Sequence, residues 1–136
     1  MQYYQTRSAK LSGTSYKEIY KNAFAFYRAI KRKSKRRPYI RSVYFGKEKV
    51  FLGLFWQHIE DHLHYNDRVR RLKYFVCGLE LIQNSKYDPA SKENPHKTSE
   101  MLHRFTGSTK NKEIFHVQIK EDKRTGEKFL ISIFPA

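Results

Sequence analysis

Cysteine occurs once, at Cys77, which excludes an intramolecular disulfide framework and any zinc site built on paired thiolates. A reducing, cytoplasmic setting is therefore the expectation. Cys77 stands in an apolar helical stretch, where packing rather than nucleophilic chemistry is its expected role. No apolar run reaches the roughly 20 residues of a membrane-spanning helix, no signal-peptide core stands at the start, and no membrane association is expected. Nucleotide and hydrolase signatures are missing too: the chain has no G-x-x-x-x-G-K-[ST], no G-x-G-x-x-G and no G-x-S-x-G. Acidic residues number 13 and are scattered, so no glycosidase-like carboxylate pair can be picked out. Neither a cofactor nor an internal repeat is indicated.

What the chain has is positive charge. Lys and Arg total 28, for a formal net charge of +15, more than solubility requires. Such a balance points to a polyanionic partner, with nucleic acid first, an acidic protein second and an anionic membrane third. Aromatics make up 15% of 136 residues, so burial is expected to rely on Tyr and Phe within one compact unit. Within it, residues 1–38 read as a basic helical segment and 39–136 as the main body.

Residues 1–13 are polar and carry no clear element. A helix is predicted from Ser15, whose spacing to Glu18 is that of a capping box, with Ile19, Ala23, Phe26, Tyr27 and Ile30 on one face. It ends in Lys31, Arg32, Lys33, Lys35, Arg36 and Arg37 before Pro38. Cations suit a helix C-terminus, but six exceed what capping needs. Two readings fit, a contact to a phosphate backbone or a solvated helix end. Tyr39–Phe45 and Val50–Leu54 read as short strands. A helix from Phe55 to about His64 turns Trp56, Ile59 and Leu63 inward and stacks His58 and His62 on one side. The next helix, capped by Asn66 or Asp67, carries Val69, Leu72, Val76, Leu79 and Ile82 inward, with Arg68, Arg70, Arg71 and Lys73 outward. Asn84–Thr98 reads as a long irregular connection.

The last third reads as three antiparallel strands, Met101–Thr106, Ile114–Lys120 and Lys128–Phe134. Phe115, Val117 and Ile119 alternate with His116, Gln118 and Lys120, and Phe129, Ile131 and Ile133 extend the apolar side. The Glu121–Glu127 connection then sets His116 across from Ser132 and Gln118 across from Leu130. The expected fold class is α+β, with N-terminal helices packed against a C-terminal antiparallel sheet, a three-strand meander plus a further strand from Tyr39–Leu54. The other face of that sheet, with Arg104, Thr106, His116, Gln118, Lys120 and Ser132, reads as a binding floor.

His58 and His62, at i and i+4, fit a shared metal, proton transfer or phosphate binding, or plain packing. The glutamate is not in the H-E-x-x-H position and no third ligand is evident, so no metal is expected. Histidines with cationic and hydroxyl side chains suit metal-free RNA cleavage. That reaction needs a base for the ribose 2′-hydroxyl, an acid for the leaving 5′-oxygen, and donors for the phosphoryl oxygens.

Three segments carry a resemblance: His58-Ile59 with His62, then His103-Arg104-Phe105-Thr106-Gly107 and Phe115-His116-Val117, and finally Leu130-Ile131-Ser132-Ile133-Phe134-Pro135. With their order they resemble the barnase–EndoU–colicin–RelE-like nuclease superfamily, especially its phage- and mobile-element-associated branch, over roughly Tyr39–Pro135. The resemblance implies a small metal-independent ribonuclease, many relatives being toxins. It implies functional roles for His58, His62 and Ser132, with Arg104 and Thr106 on the first meander strand. His116 is added from the strand register alone. The backbone-binding candidates are Lys31, Arg32, Lys33, Lys35, Arg36, Arg37, Arg70, Arg71 and Lys120. The leading expectation is an endoribonuclease held in check by an acidic antitoxin or immunity protein. A non-catalytic nucleic-acid-binding accessory protein and a regulator binding an acidic protein are the alternatives.

Overall fold

The computed structural model describes residues 3–61 and 65–136. The first helix, α1 (Tyr16–Lys33), starts where Ser15 Oγ accepts from the Glu18 N–H at 3.3 Å. It ends where the Ser34 N–H reaches the Ile30 carbonyl. Its buried stripe is Ile19, Ala23 and Tyr27. Phe26, expected on that stripe, is 47% exposed, because it lies about 60° around the helix from Ala23.

Among the described residues, seven strands form one sheet: β1 (Tyr4–Gln5), β2 (Tyr39–Ser42), β3 (Glu48–Phe51), β4 (Ala90–Asn94), β5 (Lys97–Ser108), β6 (Ile114–Asp122) and β7 (Lys128–Pro135). Their order is β1-β5-β6-β7-β3-β2, with β4 beside β5. The expected C-terminal antiparallel sheet is corrected here: the sheet is mixed and its strands come from the whole chain. β1 runs parallel to β5, and β3 runs parallel to β7 through Val50↔Lys128 and Phe51↔Phe129. A parallel pair is joined by a long crossover and has no hairpin signature, which is why periodicity alone pointed elsewhere.

The pairing of β6 with β7 is corrected as well. Val117 faces Ile133 and Gln118 faces Ser132, but Ile119 faces Leu130, so Ile131 forms a bulge. His116 therefore sits across from Phe134, not Ser132, and Gln118 across from Ser132, not Leu130. The extra residue also shifts the alternation along β7. Leu130 and Ile133 are fully buried, whereas Phe129 and Ile131 are half-buried.

Asn84–Thr98 is not irregular throughout, because β4 turns back onto β5 at Pro95-His96, where Asn94 Oδ1 accepts from the His96 N–H. Residues 90–93 are all exposed, and an edge strand of this kind needs no apolar face to announce it. The helical region comprises α2 (Gly53–Asp61), α3 (Tyr65–Lys73) and α4 (Phe75–Asn84). The helix expected to continue to Ile82 breaks at buried Tyr74, whose N–H closes a tight turn onto the Arg71 carbonyl and whose ring stacks on Phe115. Because α3 begins at Tyr65, Asn66 and Asp67 lie in its first turn rather than at its cap.

One buried cluster joins Ile19, Phe55, Trp56, Leu72, Phe75 and Leu81 to Val117, Ile119, Leu130 and Ile133 of the sheet. Glu80 on α4 ties down the N-terminal segment, accepting from Tyr4 Oη, the Arg7 and Ser8 N–H groups and Ser8 Oγ at 2.8–3.0 Å. Burial works to raise the Glu80 pKa, but these hydrogen bonds outweigh it and hold the carboxyl below its usual range. Burial and the same contact push Tyr4 up to about 12.

The α4 helix comes so close to the sheet that a methyl group on Gly78 would overlap Ile133 Cδ1. Gly78→Val is therefore expected to lower stability by about 1–3 kcal/mol through overpacking. Urea unfolding measures this, and an unchanged midpoint would contradict the close approach. Among the described residues, no helix is long and apolar enough to cross a membrane.

Candidate active site and nucleic-acid interface

The face of β5, β6 and β7 turned away from the core carries the polar side chains. Cross-strand register sets Thr106 opposite His116, and Arg104 opposite Gln118 opposite Ser132. On β7 the bulge returns Ser132 and Phe134 to this face while Ile133 stays in the core. β3 covers only Lys128 and Phe129 of β7, and α2 and α3 also lie against that strand. From α3, Arg71 reaches Ser132.

The contacts form a chain. Arg71 Nη1 donates to Ser132 Oγ at 2.6 Å, and its guanidinium lies 5.7 Å from the centre of the Phe134 ring. Phe134 in turn lies 5.3 Å from the His116 ring, whose Nδ1 is 3.1 Å from Thr106 Oγ1. A cleft of about 310 Å³ opens over this end of the sheet, lined by Tyr87, Asp88, Arg104, Thr106 and His116 among others. Arg104 also lines a neighbouring cleft of about 290 Å³ with Lys92 and Gln118. Burial lowers the His116 pKa, the positive charge of Arg104 lowers it further, and a backbone hydrogen bond with Phe105 acts the other way. The imidazole is thus held neutral near pH 7, able to accept a proton, with cations at hand for a phosphate.

Of the side chains expected in the site, Arg104, Thr106, His116 and Ser132 share this face. His58 is half-buried on α2, and His62 lies outside the described residues. Arg71, assigned from sequence to backbone binding, belongs with Ser132, and Phe134 was missed. Phe134 lies two residues from Ser132 and shares its outward face by simple alternation. Among the described residues no three His, Cys, Asp or Glu side chains gather as metal ligands.

The basic candidates divide. Lys33, Lys35, Arg36 and Arg37 line a cleft of about 360 Å³ with Tyr39, Lys49 and Phe51. Lys31 leans on Tyr27, and Arg32 is exposed on the last turn of α1. Arg70 is paired with Asp67 at 3.7 Å, and Lys120 with Glu100 at 3.4 Å.

A second titratable group lies at the opposite end of the sheet, on the core side. Buried His103 bridges Ser91 Oγ, 2.7 Å from Nδ1, and Glu121 Oε1, 2.8 Å from Nε2. Buried Lys128 ties Glu121 to Glu48 at 3.6 and 3.2 Å, beneath the Phe45 ring. This network links five strands.

Compared with protein-family models, curated proteins and solved structures, the chain matches none.

Proposed function

We propose that the protein is a metal-independent endoribonuclease of the kind its resemblance implies, cleaving by attack of the ribose 2′-oxygen on the adjacent phosphorus. The observation that carries this reading is the contact chain Thr106–His116–Phe134–Arg71–Ser132 on the outer face of the sheet, whose Thr106 and His116 end lines a cleft with Arg104. Neutral His116 takes the 2′-hydroxyl proton. Arg71 and Arg104 hold the phosphate, and Ser132 and Thr106 donate to its oxygens. The proton for the departing 5′-oxygen is assigned to His58 or His62 on the resemblance alone. Phosphorus gains the 2′-oxygen as it loses the 5′-oxygen, so the products are a 2′,3′-cyclic phosphate and a 5′-hydroxyl.

A toxin of this type, acting in the cytoplasm, calls for an acidic protein inhibitor that covers the same cations. The charge of +15 also favours a second reading, a nucleic-acid-binding accessory protein without catalysis. Incubation with total RNA in EDTA separates the two. Discrete chelator-resistant cleavage leaving cyclic phosphate ends is expected, and retention of RNA with every strand intact would replace the first reading with the second.

A further inference from the structure

We infer that a row of rings across β2, β3 and β7 is a stacking platform for unpaired bases, which makes single-stranded RNA the ligand. This rests on the RNA reading above and narrows it to one structural class of substrate.

The row follows from register. Tyr39 pairs with Phe51, Phe51 with Phe129, and Phe129 with Lys120. Ile40, Val50 and Leu130 are buried on the core side, so the half-buried rings next to them face outward. Ring centres are 6.3 Å apart for Tyr39–Phe51 and 5.8 Å for Phe51–Phe129.

Each ring carries a cation. The Arg37 guanidinium lies 3.9 Å from the Phe51 ring centre, Lys49 Nζ lies 4.7 Å from Tyr39, and Lys120 Nζ lies 5.3 Å from Phe129. Cross-strand packing explains rings touching rings. It does not call for a cation at every ring on the outer face of a sheet. Bases stack on aromatic rings and on Arg guanidinium planes alike, and the charges meet the phosphates between them.

Clefts adjoin Phe51 on both sides and divide the work. One, of about 360 Å³, is walled by Lys33, Lys35, Arg36 and Lys49 and suits the sugar-phosphate chain. The other, of about 310 Å³, has a floor of Pro38, Leu54, Phe51 and Phe129 with Arg37 and Lys120 at its rim, and suits a base. Both are at the small end of ligand clefts. Glu127 and Glu100 pair with Arg37 and Lys120 in the free protein, so they orient these cations and release them to a phosphate. From Lys120 to His116 is four residues along β6, roughly 13 Å, which leads a strand held on the rings to the cleft at His116. A duplex keeps its base faces stacked internally and offers nothing to the rings.

The test uses the full chain and a labelled 2′-O-methyl oligonucleotide, which cannot undergo 2′-oxygen attack, so binding is read apart from cleavage. Fluorescence anisotropy is measured for the single strand, for its duplex and for heparin. Phe51→Leu and Phe129→Leu keep apolar bulk but remove the ring, and circular dichroism checks their fold. Each is expected to weaken single-strand binding by roughly 5- to 150-fold while leaving heparin affinity and the salt slope unchanged. Lys120→Met, an outer-face change that leaves the rings in place, is expected to flatten the slope instead. Equal single-strand affinity for wild type and both Leu variants overturns the platform, and so does duplex binding as tight as single-strand binding. Ring-dependent single-strand binding by a protein that leaves natural RNA uncut upholds the platform and removes only the nuclease reading.

Discussion

His116→Ala is expected to slow RNA cleavage by about 10²–10⁴-fold and to leave RNA affinity nearly unchanged. The imidazole is half-buried on the outer face of β6, so its loss opens no hole in the core. Affinity comes from charge dispersed over many Lys and Arg, and a neutral imidazole adds little to it. The pH dependence gives an independent check. Burial first, and then the charge of Arg104, hold His116 below the ordinary histidine value of about 6.5. Its base form therefore survives to lower pH than a free imidazole would allow, and cleavage falls only as pH drops through that lowered value. Arg104→Gln removes the second cause, so the acid limb of the rate profile should move to higher pH. Single-turnover rates from pH 4.5 to 8 measure both effects. Wild-type cleavage by a folded His116→Ala protein would remove the histidine from the mechanism. An acid limb that ignores Arg104→Gln would mean that some other group sets it.

The parts of this molecule that the sequence announced are those held by local rules. Ser15 caps α1 because its hydroxyl reaches a donor three residues away, and Phe115, Val117 and Ile119 are all fully buried because period-two alternation puts them on one face. The site depended on something less local. Thr106 and His116 meet because β5 and β6 pair in simple register. His116 was matched with Ser132 instead of Phe134 for two reasons: the strands pair from Glu121 and Lys128, one residue nearer the turn than expected, and a bulge at Ile131 that no residue type signals adds a second residue. Arg71 read as one more outward cation on a basic helix. Only the docking of α3 against β7 brings it to Ser132. The ring row was hidden for the same reason. Tyr39, Phe51 and Phe129 belong to three strands, and the parallel contact of β3 with β7 that aligns them has no turn or spacing to reveal it.

Replacing Lys33, Lys35, Arg36 and Arg37 with Gln together should give the largest loss of affinity. Lys33, Lys35 and Arg36 are exposed beside the ring row, and Arg37 is held by an exposed ion pair to Glu127 and by the Phe51 ring on the outer face, so their removal opens no hole in the core. Each phosphate contact on a single strand contributes about 0.7 to the slope of log affinity against log salt. Four lost contacts therefore flatten the slope by about 2.8, which weakens binding at 0.15 M salt by roughly 200-fold. The deficit should close as salt approaches 1 M, where released counterions no longer drive association. The ring variants behave differently, since their deficit is expected to be the same at every salt concentration. Titrations of the single-stranded 2′-O-methyl oligonucleotide from 0.05 to 0.5 M salt distinguish the two patterns. A fourfold variant with the wild-type slope would return the basic end of α1 to a solvated helix terminus. The row of rings would then stand without the phosphate contacts that its neighbouring cleft offers.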